Sequence, residues 1–299
     1  MARARELRQR GALITLRMDP IHFVVIAHGR SGSTMLSLAL ASHPNVAMYL
    51  EIFHQDPSGR GRYFRADERR SAVLGRIGVR RNARVYEGGE DPLAFLADAV
   101  FYPRRSKRIR AVGFKLLHNF CIAGHARDLL WEGLAATGNL RIICLRRKDL
   151  VAAFVSHEVA RRTGKWTYFE GSRAAPAPAK PFVADLAAFT LFASEIEANE
   201  QMLRSRFKGK NVFELTYEDD LEDSFTSTSR RLQEFLDLPV HPLVTRTRRT
   251  PARELPVQVS NLAALRERAS LLEKQFASFR PGAGDDPRKV PPPSPQSIS

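Results

Sequence analysis

HFVVIAHGRSGST, residues 22–34, is the stretch on which the fold turns. His22 to Ala27 is a short apolar run rich in β-branched residues, which predicts a buried strand. HGRSGS then breaks the run with two glycines, and Thr34 to Ser42 reads as a helix closed by His43-Pro44. A strand, a small glycine-bearing loop and a helix present backbone N–H groups and hydroxyls at the positive end of the helix, where an anion binds.

Outward from this unit the same alternation continues. Val46–Leu50 predicts a second strand with Glu51 at its end, and AVGFKLL (111–117), LRIICL (140–145) and Val212–Thr216 predict three more. Helical patterns separate them: Asp149–Arg162 is one, and from Asp185 to Phe207 a stripe of Leu186, Phe189, Ala193, Ile196, Leu203 and Phe207 marks another. An amphipathic helix is expected from the end of the last strand to Leu238. Strands alternating with helices predict an α/β fold, a central, mostly parallel sheet flanked by helices. The expected organisation is one domain over residues 21–280, preceded by a basic extension over 1–20. Two irregular segments lie inside it, an insertion over 58–84 carrying nine arginines and a Pro/Ala loop over 170–182 whose prolines exclude regular structure. Residues 281–299 hold six prolines and read as a disordered tail.

Composition narrows the function. The formal charge of +15 rests on 38 Arg and 9 Lys and favours an anionic partner, yet no nucleic-acid-reading motif accompanies it, so no nucleic acid is expected. No run reaches the roughly 18 apolar residues of a membrane span. Arg17 and Asp19 interrupt the apolar stretch that a signal peptide would need after the basic start. Cys121 and Cys144 make neither a disulfide framework nor a four-ligand zinc site, which leaves a reducing, cytoplasmic setting as the default.

Three familiar loops fail on their residues. A Walker loop needs a lysine before the hydroxyl residue, and none precedes Ser33 or Thr34. A G-x-S-x-G nucleophile elbow ends on glycine where Ser33 stands, and a dinucleotide fingerprint needs three spaced glycines. What remains is a loop for one terminal phosphate, with Arg30 supplying charge.

GRSGSTML after a strand resembles the 5′-phosphosulfate loop of sulfotransferases of the bacterial type, which use 3′-phosphoadenosine 5′-phosphosulfate (PAPS) on a P-loop, nucleotide-kinase-like fold. The resemblance implies that Arg30, Ser31, Gly32, Ser33 and Thr34 bind the donor. RIICLRRKDLVAAFVSHEVARRTGKW is similar to the family's 3′-phosphate strand and helix, which implies roles for Arg147 and Ser156, with Arg146 the alternative while the register of the double arginine is open. LTYEDDLEDS resembles the family's Y-E-D-L segment after the last core strand. TRTRRTPAREL occupies the place of a basic loop over the 3′-phosphate, with Arg248 and Arg249 as candidates.

By the same resemblance Glu51 is the general base and His54 its nearest competitor, and the reaction uses no metal. Lys115 stands inside the apolar strand, where burial without a partner is costly, so it either reaches the transferring group or acceptor or forms a structural ion pair. His28 is a further candidate for hydrogen bonding the donor. The expected acceptor is a hydroxyl of a small molecule, carbohydrate or lipid, and homodimerisation is left open. Two rivals stand beside this reading: a nucleotide-dependent kinase on a related fold, and a non-catalytic binder of a nucleotide or sulfated glycan.

Overall fold

The computed structural model describes residues 20–53, 86–101, 107–118, 123–164, 166–169, 181–245, 247–248 and 259–279. Outside these lie residues 1–19, the arginine-rich insertion, 170–180 of the Pro/Ala loop, the tail, His54, Cys121 and Arg249; for Arg248 only the backbone is described.

The chain runs β1 (Ile21–Ala27), α1 (Ser33–Ala41), β2 (Val46–Tyr49), α2 (Pro92–Phe95) with a π-helical continuation Leu96–Phe101, β3 (Ala111–Leu117), α3 (Gly124–Ala136), β4 (Arg141–Arg146) and α4 (Leu150–Thr163). It continues through β5 (Tyr168–Phe169), α5 (Leu186–Arg206), β6 (Val212–Thr216), a π-helical turn Tyr217–Asp223, α6 (Phe225–Phe235), β7 (Thr247–Arg248) and α7 (Leu262–Phe279). Five strands form one sheet in the order β2-β3-β1-β4-β6, every neighbour pair parallel. The expected α/β fold with a parallel central sheet is therefore the fold observed. β5 and β7 make a separate antiparallel ribbon, Tyr168 opposite Arg248 and Phe169 opposite Thr247.

A parallel sheet is covered on both faces, so its inner strands must be apolar at every position rather than at alternate ones. HFVVIA meets this demand, and β1 sits at the centre. Val24 and Ile26 face a core shared with Phe114 of β3, Phe95 of α2, Trp131 of α3 and Leu203 of α5. Phe23, Val25 and Ala27 face the other side, against Leu36 and Leu40 of α1 and Leu232 of α6. Gly113 of β3 makes room for this packing: a Cβ there would lie 2.4 Å from the Phe23 ring. A third cluster joins α4, α5 and α7 through Phe154, Phe189, Leu265 and Leu272.

One expected element differs. The helix after β6 is broken, because Asp220 turns its carboxylate back to the backbone N–H of Thr216 (2.8 Å) and the hydroxyl of Thr228 (3.2 Å). A π-helical turn precedes α6 in consequence. Among the described residues no helix is long and apolar enough to cross a membrane.

Candidate functional site

The order β2-β3-β1-β4 brings four strand ends together at the carboxyl edge of the sheet, the edge at which parallel α/β sheets bind ligands. The glycine loop leaves the central strand there. Two of its residues have left-handed backbone, Arg30 (φ 68°) and Gly32 (φ 87°). At Gly32 the requirement is double, since a Cβ would also lie 2.5 Å from the Tyr217 ring. Gly32 caps α1 without a side-chain hydrogen bond, so the first N–H groups of that helix keep their capacity for an anion. The Ser31 hydroxyl donates to the His28 carbonyl at 2.7 Å, fixing the turn from within. His28 donates from Nδ1 to the Gly29 carbonyl at 2.7 Å. Its burial lowers its pKa to about 4, partly offset by that bond, with the Arg147 charge lowering it further. The imidazole is neutral near pH 7.

On one side of the loop stands a three-member cluster. Lys115, from β3, donates to Thr34 Oγ1 at 2.9 Å and pairs with Glu51 Oε1 at 2.5 Å. Its side chain is 1% exposed and that of Glu51 10%. The pairing answers the cost of an ammonium inside an apolar strand. Because β3 lies between β2 and β1, a residue two positions past β2, a residue near the end of β3 and the first turn of α1 converge.

On the other side is a basic cluster at the end of β4. Arg146 is the last strand residue and points to the α5 face, where Glu214 (2.6 Å) and Glu200 (3.8 Å) pair with it. Arg147 leaves the strand plane, donates to the Arg30 carbonyl at 2.8 Å, and stacks over the Tyr217 ring at 4.7 Å. Of the two arginines, Arg147 lies against the loop and Arg146 does not. Arg30 Nε donates to Ser156 Oγ at 2.9 Å and its Nη1 donates to the Trp166 carbonyl. The Arg30 guanidinium thus reaches Ser156 of α4, while its backbone carbonyl accepts from Arg147. Arg30, Arg147 and Ser156 form one cluster, while Thr34, Lys115 and Glu51 form a second.

Two residues without an assigned role in the sequence reading complete the arrangement. Tyr217 packs between Gly32 and Arg147. Glu218 accepts from the backbone N–H groups of Lys148 (3.0 Å) and Asp149 (3.1 Å) and lies 3.8 Å from Arg147 Nε. Their signal was position, an aromatic and an acid following the final parallel strand directly. Arg248 is placed by its backbone opposite Tyr168, and His54 and Arg249 lie outside the described residues.

A family model described as "Sulfotransferase family" matches residues 20–242. Among solved structures, a sulfotransferase from Alicyclobacillus acidocaldarius shares 14% identity over 86% of this chain and 96% of its own, with a TM-score of 0.43. The mouse sulfotransferase SULT7A1 complexed with PAP shares 13% over 89% and 68%, with a TM-score of 0.37. Retinol dehydratase in a complex with retinol and PAP shares 17% over 75% and 62%, with a TM-score of 0.34. No curated protein matches the chain.

Proposed function

The chain belongs to the sulfotransferase family, and from that membership we propose that it moves a sulfuryl group from PAPS to a hydroxyl of a small-molecule, carbohydrate or lipid acceptor. The observation that carries this reading is the pair of clusters flanking one glycine loop. The donor has a 5′-phosphosulfate and a 3′-phosphate on opposite sides of its ribose, and a protein that holds it needs two separated cationic sites. Thr34, Lys115 and the N-terminus of α1 suit the phosphosulfate. Arg30, Arg147 and Ser156 suit the 3′-phosphate, because guanidinium forks donate paired hydrogen bonds to phosphate oxygens. Residues 21–280 are read as the one catalytic domain.

In the reaction the acceptor oxygen attacks sulfur, the bond from sulfur to the 5′-phosphate oxygen breaks, and that oxygen keeps the electron pair. In this reading Lys115 stabilises the charge that develops there and Glu51 takes the acceptor's proton, a division supported by their pairing beside the loop. A carboxylate offers about four lone-pair sites, so pairing with Lys115 does not by itself prevent proton transfer to Glu51.

Adenosine 3′,5′-bisphosphate (PAP), the desulfated product, should raise the melting temperature by several degrees while ATP does little. A ligand at 100 times its Kd stabilises the folded state by about 2.7 kcal/mol. Thermal unfolding with each nucleotide decides the matter; an equal response to ATP would move the assignment to a kinase.

Arg147→Ala should weaken PAP binding about tenfold or more, since a hydrogen bond to a charged group is worth roughly 1.5–3 kcal/mol. Arg146→Ala, which loses only the Glu214 and Glu200 pairs on the α5 face, should bind nearly as the unmodified chain does. Calorimetric titration of both variants is the check, and the reverse order would exchange the two arginines.

A further inference from the structure

The C-terminal helix α7 meets the turn that carries Arg147. Arg266, in its first half, donates from Nη1 to Asp149 Oδ1 at 2.8 Å and from Nη2 to Asp149 Oδ2 at 2.9 Å. Asp149 follows Arg147 by two residues and caps α4, accepting from the Ala152 N–H at 2.8 Å. Burial alone would raise the pKa of this carboxyl. The Arg266 hydrogen bonds, the Ala152 N–H and the charges of Arg266 and Arg147 outweigh that, and the net shift is downward. Asp149 is therefore an anion near neutral pH, close enough to feel both arginines.

A carboxylate beside a phosphate-binding arginine is a competitor. It offers the same planar pair of oxygens that a phosphate offers to a guanidinium fork. The turn 147–149 is short, and Glu218 pins its backbone from the β6 side by accepting from Lys148 and Asp149. The Asp149 side chain is held toward α7 by its ion pair with Arg266, alongside its cap on the Ala152 N–H.

We propose that Arg266 is a positioning residue of the donor site, holding Asp149 away from Arg147 so that the Arg147 guanidinium stays available to the 3′-phosphate. The inference rests on the assignment of Arg147 to that phosphate. It gives α7 a role beyond packing its Leu265 and Leu272 against α4 and α5. It also makes the two arginines act in series, the outer one neutralising the acid that would otherwise occupy the inner one.

The test is calorimetric titration of PAP into the full chain and four variants, with thermal unfolding as a measure of α7 docking. Arg266→Gln should weaken binding about fivefold, the upper range for a half-exposed charge pair. Arg266→Lys keeps the charge and should bind within about twofold of the unmodified chain. Asp149→Asn keeps the cap, because Asn serves at N-cap positions as Asp does, and should bind no more weakly than the unmodified chain. The deciding variant is the double one. Arg266→Gln with Asp149→Asn lacks the ion pair altogether, so a merely structural role predicts binding as weak as in the single Arg266→Gln variant. Removal of a competing carboxylate predicts recovery to within about twofold of the unmodified chain. A double variant as weak as Arg266→Gln, or an Arg266→Gln variant that binds normally, overturns the proposal. If the unmodified chain binds no PAP at all, the donor assignment fails and this inference falls with it, a result distinct from both.

Discussion

Lys115→Met should lower sulfuryl transfer by about 10²- to 10³-fold, the range seen when one preorganised donor to a developing charge is removed. The ammonium is 1% exposed, hydrogen bonded to Thr34 in the first turn of α1 and paired with Glu51. In so dry a setting a fixed positive charge acts far more strongly than it would in water, and it needs no reorganisation when charge moves to the leaving oxygen. The same substitution has a stability cost. It strands the Glu51 carboxylate, and breaking a buried pair by removing one partner typically costs about 3–5 kcal/mol. Rate and stability must therefore be read apart. Adding Glu51→Gln to Lys115→Met removes the stranded charge and should recover much of the melting temperature, but none of the turnover. Single-turnover measurements with labelled PAPS and a pool of phenolic, sugar and lipid alcohols supply the rate, and thermal unfolding supplies the stability. Turnover within tenfold of the unmodified chain would make Lys115 a structural lysine.

The sheet was legible in the sequence because its strands are buried on both faces. HFVVIA, AVGFKLL and LRIICL are near-continuous apolar runs, and the observed strands start and end within a residue of them. The α5 stripe was legible for the complementary reason: it has one apolar face, and Phe189, Ala193, Ile196 and Leu203 are buried where the 3.6-residue period puts them. The pairing of Glu51 with Lys115 was only half legible. An interior lysine announces that it has a partner, but which acid answers depends on β3 lying between β2 and β1, an order that skips along the chain. Which of Arg146 and Arg147 lies against the loop turns on where β4 stops. Strand alternation carries Arg146 to the α5 face, and the next residue is free of that alternation and swings to the loop. The reach of Arg30 to Ser156 was not legible, because a left-handed backbone at a non-glycine residue sends the side chain where no helix or strand period predicts. Arg266 gave no signal, since it is one arginine among many and its partner lies 117 positions away.

Glu51→Gln carries the other large effect. The residue lies two positions beyond the end of β2, and its carboxylate pairs with Lys115, which also donates to Thr34 in the first turn of α1. An acceptor hydroxyl attacking sulfur in line must approach from the side opposite the leaving phosphate, and its proton needs a base within hydrogen-bond reach. Glutamine keeps the shape and can still accept from Lys115, but it cannot take a proton. Turnover should fall by about 10² to 10⁴, the usual contribution of a positioned base. PAP affinity should stay within a few-fold, because none of Arg30, Arg147 or Ser156 loses a partner. That split separates a base from a residue that merely holds Lys115 in place. Were Glu51 only a strut for the lysine, the loss of its charge would weaken donor binding and catalysis together. His54→Asn is the paired variant, three residues further along the chain, and should turn over normally. A dead His54→Asn beside an active Glu51→Gln would give the proton to the histidine while leaving the donor site as described.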